Sequence, residues 1–210
     1  RAAFERSQRP LLTPGAVQFA KVVRMVSEQM PELSIIASGA GNYSQFVHRY
    51  TSYKTYPSSL APASGSMGYG LPAAIAAKIE YPERTVIAFA GDGCFMMNGQ
   101  ELATAVQYDL PIVLIIADNS MYGTIRMHQE KTYPGRVSGT SLVNPDFAHM
   151  ARSFGAWGVT VTETGDFEAA FANALAFEGP AVIVLKLDPN AITPGTTLEA
   201  FRKIGSARKD

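Results

Sequence analysis

Two apolar runs of strand length constrain this chain more than any other feature. Val86-Ile87-Ala88-Phe89-Ala90 ends in Gly91-Asp92-Gly93, and Ile112-Val113-Leu114-Ile115-Ile116-Ala117 ends in Asp118-Asn119. Such runs, bounded by glycine and oxygen-bearing side chains, fit strands buried on both faces of a parallel sheet. The segment between them, 98–108, reads as a helix. A strand–helix–strand link is nearly always a right-handed crossover, so both strands point the same way. Their C-terminal ends then share the sheet edge at which open α/β folds bind ligands. Asp92 and Asn119 are expected side by side there.

Gly91 and Gly93 flank Asp92 and let an anion approach the backbone closely. The helix that follows turns its positive end to the same spot, which favours phosphate. A carboxylate, an amide oxygen and a diphosphate make an all-oxygen site. Mg2+ suits it, because this ion takes few protein ligands and keeps phosphate and water.

The triplet Gly91-Asp92-Gly93 with Asp118-Asn119 downstream resembles the thiamine-diphosphate motif, a GDG triplet followed by paired asparagines. Gly65-Ser66-Met67-Gly68-Tyr69-Gly70-Leu71-Pro72-Ala73-Ala74 and Glu101-Leu102-Ala103-Thr104-Ala105 also resemble the acetolactate synthase, pyruvate oxidase and benzoylformate decarboxylase group. The similarity runs from about Ser34 to Leu198. It implies a three-layer α/β/α domain with a mostly parallel sheet, the C-terminal diphosphate-binding domain of such enzymes. It also implies thiamine diphosphate and Mg2+ as cofactors. The metal ligands would be Asp92, Asn119 and the main-chain carbonyl of Met121. Ala40, Gly41, Asn42 and Tyr43 would meet the diphosphate, as would Gly91, Gly93 and Cys94, with Tyr122, Gly123 and Thr124 lining the approach. In this group the residue at Met67 is an apolar wedge under the cofactor, and the carbonyl at Gly65, beside Ser66, accepts a hydrogen bond from the aminopyrimidine. Met67 as plain core filler is the bland alternative. Asp118 stands where the group has Asn. A second carboxylate beside a diphosphate must turn away or cap the next helix. His128 aligns with a Trp of acetolactate synthases, which leaves the substrate open. His128, on the segment that follows the motif and lines the approach to the cofactor, reads first as a solvated loop histidine and second as a substrate or proton-transfer residue; Gln129, Glu130 and Arg136 are similarly placed and share both readings.

Composition narrows the setting. The 210 residues are 47% hydrophobic and 17% charged, with Lys+Arg and Asp+Glu balanced at 18 each. That balance points to neither nucleic acid nor a membrane surface. Cys94 is the single cysteine, so no internal disulfide forms and a reducing cytoplasm fits. No apolar run approaches the roughly 20 residues of a membrane span.

In chain order, 1–13 read as a linker from an upstream domain, 14–188 as the cofactor-binding domain and 189–210 as a tail that covers the site or is disordered. Pro14 fits the first turn of a helix whose apolar face is Ala16, Phe19, Val23, Val26 and Met30. Residues 32–37 read as a strand. Ser38-Gly39-Ala40-Gly41-Asn42-Tyr43 lacks the third glycine and the downstream acid of a dinucleotide turn. It serves a diphosphate contact or a plain strand–helix junction. A loop spans 49–64, and helices are expected over 68–79, from 144 to 154 and over 166–177. Further strands are expected over 159–161 and 181–187. His149 reads as structural, and Glu101 as a helix residue.

The resemblance implies an enzyme that decarboxylates a 2-oxo acid, with transfer of the carbanion to an aldehyde or ketone as a further step open to it, and so lyase or transferase character. An activating glutamate on a pyrimidine-binding domain, usually across a homodimer or homotetramer interface, is missing from this chain, so the fragment alone is expected to be inactive. A flavin (FAD) in the full-length enzyme stays open. A nucleotide-binding α/β domain and a non-catalytic interaction domain are the alternatives.

Overall fold

A computed structural model of the chain describes residues 9–207. Its centre is one parallel sheet made of β1 (Ile35–Ser38), β2 (Ser59–Leu60), β3 (Val86–Gly91), β4 (Ile112–Asp118), β5 (Trp157–Val161) and β6 (Ala181–Lys186). The strand order is β2-β1-β3-β4-β6-β5. The helices are α1 (Phe19–Gln29), α2 (Tyr43–Tyr50), α3 (Gly70–Glu80), α4 (Asp92–Phe95), α5 (Leu102–Gln107), α6 (Gly123–Thr132), α7 (Phe147–Ser153), α8 (Phe167–Ala176) and α9 (Leu198–Ser206).

Alternation along each strand builds two cores. Ile87 and Phe89 of β3, with Val113 and Ile115 of β4, pack beneath α1, α2 and α8. Val86, Ala88 and Ala90, with Ile112, Leu114 and Ile116, face α3, α5 and α7. This is the three-layer arrangement expected, with β3 and β4 buried along their whole length. The small residues of α3 let it press onto the sheet. A Cβ on Gly70 would sit 3.0 Å from the Phe89 carbonyl oxygen and 3.1 Å from the Gly39 nitrogen.

Several boundaries differ from the sequence reading. Pro14 does not open α1. Gly15 adopts φ +94°, and an added Cβ there would lie 2.7 Å from Asp188 Cβ, so the chain bends to pass this neighbour. Gln18 closes the bend, donating to the carbonyls of Thr13 at 2.8 Å and Gly15 at 2.6 Å. The helix starts only at Phe19, which leaves Ala16 exposed. Within the expected linker, residues 1–8 lie outside the described residues. The helix read over 98–108 is split into a 3-10 turn at Gly99–Glu101 and α5, and the short α4 lies ahead of it. Gly99 packs against the Phe95 ring, where a Cβ would come within 2.8 Å. The loop over 49–64 contains the end of α2 and the short strand β2, paired to β1 through Ile36–Ser59. His149 is exposed on α7, and its backbone nitrogen donates at 2.9 Å to Asp146, the cap of that helix.

The tail from Pro189 to Ala207 is folded. Thr197 caps α9, accepting from the Ala200 nitrogen at 3.1 Å. Ile192 and Leu198 join Met121 and Met127 in a small third core, with Phe201 against it. α9 crosses α6 at Gly205, where a Cβ would lie 2.4 Å from the Glu130 carbonyl oxygen. Glu130, read as a solvated or proton-transfer residue, is instead a structural anchor at 1% exposure. Arg202 grips it in a two-pronged contact at 2.8 and 2.7 Å, and the Gly135 nitrogen donates at 2.9 Å.

The Arg202 guanidinium, ahead of the Gly135 amide, pulls the Glu130 carboxyl down to about 2 from its ordinary 4.5. A depressed carboxylate contributes stability above its unfolded value and loses it as pH falls through the folded one. The hold of α9 on α6 therefore weakens between about pH 4.5 and 2. Arg202→Ala should cost about 1.5–3 kcal/mol at neutral pH, the range for hydrogen bonds to charged groups, and should flatten this acid dependence. Denaturant melts at pH 7 and pH 3 check it; the same acid dependence in both proteins contradicts the anchor.

Candidate functional site

A cleft opens at the C-terminal edge of β1, β3 and β4, with about 610 Å3 of open space. The register explains its position. Gly91 pairs with Ala117, so the residues that come next, Asp92 and Asp118, stand at neighbouring strand ends. The cleft is lined by 40–43 after β1, 91–94 at the end of β3, and 119 and 121–125 after β4. Three helices, α2, α4 and α6, begin at these segments. The first-turn amides of a helix have no partner within it, so each end brings positive potential to the cleft.

Of the residues singled out in the sequence, Ala40, Gly41, Asn42, Tyr43, Met67, Gly91, Asp92, Gly93, Cys94, Asn119, Met121, Tyr122, Gly123 and Thr124 all line it. Gly65 and Ser66 do not; they lie on the exposed loop ahead of Met67. His128, Gln129 and Arg136 do not line it either. His128 is exposed on α6, Gln129 donates to the Ser138 carbonyl at 2.6 Å, and Arg136 stacks over the Tyr133 ring.

Asp92 is 2% exposed, and burial pushes its carboxyl up to about 6, against the pull of Asn144 and the Gly93 amide. A carboxylate this poorly solvated gains most from a nearby cation. Asn119 follows on a tight turn, where Ser120 takes φ +55°. Segment 140–142 braces that turn: the Tyr122 nitrogen donates to the Thr140 carbonyl and the Leu142 nitrogen to the Ser120 carbonyl, each at 2.9 Å. A bulkier residue at 93 would strike the Tyr122 ring, at 2.5 Å, so glycine keeps this wall close. Asn42 is held by Thr124, whose hydroxyl donates at 3.0 Å, which ties the ends of α2 and α6. Among the described residues no group of three or more His, Cys, Asp or Glu is placed to hold a metal ion. A cation here would draw on one carboxylate, amide and main-chain oxygens, and the oxygens of a bound ligand.

A family model described as "Thiamine pyrophosphate enzyme, C-terminal TPP binding domain" matches residues 39–185. The chain belongs to this family. It is similar to the acetolactate synthase isozyme 2 large subunit of Escherichia coli K12, 33% identical over 179 residues, covering 83% of this chain and 32% of that protein. The acetolactate synthase large subunit of Haemophilus influenzae is 32% identical over 174 residues, covering 82% and 30%. The solved thiamine diphosphate-dependent 4-hydroxybenzoylformate decarboxylase of Rhodococcus jostii RHA1 superposes with a TM-score of 0.79 at 31% identity, over 85% of this chain and 34% of that one. This chain spans about a third of the length of these relatives.

As a thiamine pyrophosphate-binding domain, the chain departs from the paired-asparagine pattern at Asp118, and the structure shows how. Asp118 does not cap α6. It turns back into its own loop, accepting from the Ser120 nitrogen at 3.1 Å, from Asn144 at 2.8 Å and from Lys186. Burial alone would raise its carboxyl, but Lys186 and Asn144 outweigh that and hold it below the ordinary carboxylate range. Asn144 and Lys186 were not singled out in the sequence. Asn144 reads there only as the start of a helix, and Lys186 meets Asp118 only because β6 lies beside β4. The apolar walls from Phe19, Phe46, Leu187, Ala191 and Ile192 were missed as well.

Met67 owes its place to its neighbour. Gly68 is gripped at both ends: its nitrogen donates to Cys94 Sγ at 3.1 Å, and its carbonyl accepts from Asn98 at 2.6 Å. The Tyr43 hydroxyl also donates to Cys94 Sγ, at 3.4 Å, so the thiol serves as a buried acceptor. Gly68 has φ +86°, and a Cβ would sit 3.0 Å from Met97 Cβ. Asn98→Ala should release this loop, speeding amide hydrogen exchange over 64–69 while β3 and β4 keep their protection, at about 1 kcal/mol in stability. Unchanged exchange in the loop contradicts the clamp.

Proposed function

We propose that the chain anchors thiamine diphosphate through Mg2+, with Asp92, Asn119 and the Met121 carbonyl as the protein ligands. The observation that carries this is the joint placement of Asp92, Asn119 and Met121 in one cleft, at the ends of adjacent parallel strands, where three helices begin. The donor set is all oxygen and includes a single buried carboxylate at the cleft, which fits an ion that retains phosphate and water ligands. The helix starts at 40–43, 92–94 and 122–124 would receive the diphosphate oxygens. Gly91 leaves room for them; a Cβ there would press on the Tyr43 ring at 3.0 Å. Met67, 36% exposed and held by the Gly68 clamp, would support the cofactor from below, with Gly65 and Ser66 ahead of it on the same exposed loop.

The cofactor supplies, when bound, a nucleophilic carbon and an electron sink. The residues of this chain bind, orient and shield it from water. The whole protein would act on a 2-oxo acid as a decarboxylase, with transfer to a second carbonyl in the manner of an acetolactate synthase. The names of the similar proteins support this, as decarboxylase and acetolactate synthase. The activating glutamate would come from a pyrimidine-binding domain, in a homodimer or homotetramer, in the cytoplasm. No described helix is long and apolar enough to cross a membrane. FAD would be held, if at all, outside this chain, and the chain alone would turn over no substrate.

Calorimetry with thiamine diphosphate and Mg2+ tests the anchor. Wild type should give a Mg2+-dependent binding signal, and Asp92→Ala should lower affinity at least 10-fold, the lower end of what loss of even an outer-shell partner costs a metal site. Equal signals from the two proteins reject the ligand role of Asp92.

A further inference from the structure

Asp92 and Asp118 present a problem that the metal ligands alone do not solve. Both carboxylates are buried, at 2% and 1% exposure, on neighbouring strand ends. In a poorly solvated setting two such groups repel and drive each other out of place. Asn144 reaches between them from the loop before α7. Its amide nitrogen donates to Asp92 Oδ2 at 2.8 Å and to Asp118 Oδ1 at 2.8 Å. Lys186 pairs with Asp118 Oδ2, and the Gly93 nitrogen donates to Asp92 Oδ1 at 2.8 Å. Asn144, Asp118 and Lys186 all stay out of the cleft lining, whereas Asp92 is part of it.

We propose that Asn144 is the positioning residue of the cation site. It fixes the Asp92 carboxylate from behind and ties Asp118 away from the cleft, where Lys186 balances its charge. Each Asp92 oxygen then accepts one hydrogen bond from the protein and keeps lone-pair capacity for a cation. Amide nitrogen suits the task because it carries two protons and no charge, so it serves both carboxylates without competing with the metal. The arrangement also accounts for the carboxylate where the family pattern has Asn: Lys186, aligned with Asp118 across β4 and β6, makes a second acid tolerable. This inference rests on the reading of Asp92 as a ligand.

Titration with Mn2+ in the presence of thiamine diphosphate, followed by the loss of the free-ion paramagnetic resonance signal, tests it on wild type, Asp92→Ala, Asn144→Ala and Asn144→Ala with Asp118→Ala. Outer-shell partners of metal ligands are worth about 10- to 100-fold in affinity. Asn144→Ala should weaken Mn2+ binding by that factor while circular dichroism stays that of the wild type. The double variant carries the test if the single one fails to fold, because it removes the second carboxylate along with the donor; it too should bind Mn2+ weakly. Wild-type affinity in whichever of the two folds overturns the inference. Equal binding by wild type and Asp92→Ala overturns the underlying ligand reading instead, and so separates the two failures.

Discussion

The parallel pairing of β3 with β4 is the constraint on which the rest depends. Its register sets Gly91 against Ala117 and so delivers Asp92 and Asp118 to the same sheet edge, with Asn119 one residue beyond. A slip of one residue would turn every side chain of a strand to the opposite core. Ile87 and Phe89 would exchange places with Ala88 and Ala90, and two well-packed cores forbid that. The packing that stabilises the sheet therefore also aligns the polar groups at its end. Gly91 at the end of β3 then leads straight into α4, and the left-handed Ser120 after β4 turns the chain toward α6, so both segments face one cleft.

Charge at this edge is arranged with equal economy. Burial works against both acids, yet their carboxyls diverge: Asp92 is raised to about 6, and Asp118 is lowered. The difference lies in their partners. Asp118 has a lysine, an amide and a hydroxyl loop around it, while Asp92 has two neutral donors and opens on the cleft. One acid is satisfied inside the protein and the other is left short of positive charge. The helix starts around the cleft supply part of that charge, and a divalent ion would supply the remainder.

Much of this was legible in the sequence because it depends on short-range pattern. The continuous apolar runs of β3 and β4, the glycines around Asp92 and the small residues of α3 each state a local requirement that the fold obeys. The misreadings concern contacts between distant segments. Pro14 looks like a helix start until Gly15 meets Asp188. The tail looks polar and loose, yet Leu198, Phe201 and Ile192 close a small core and Arg202 finds Glu130. Glu130 itself, beside His128 and Gln129, carries no local mark of its burial. Lys186 acquires meaning only from the strand order, and Asn144 only from a loop whose path no periodicity dictates. Residue patterns thus located the cleft and most of the side chains that line it, and tertiary contacts supplied the parts that hold them still.

The most direct measurement is a crystal structure of the chain grown with thiamine diphosphate and Mn2+, using the anomalous signal of the metal. The account predicts one peak at the β3–β4 edge, with oxygen atoms of Asp92, Asn119 and Met121 and of the diphosphate at about 2.0–2.2 Å. A metal or diphosphate bound elsewhere on the chain, with Asp92 turned from it, would contradict the account at its root.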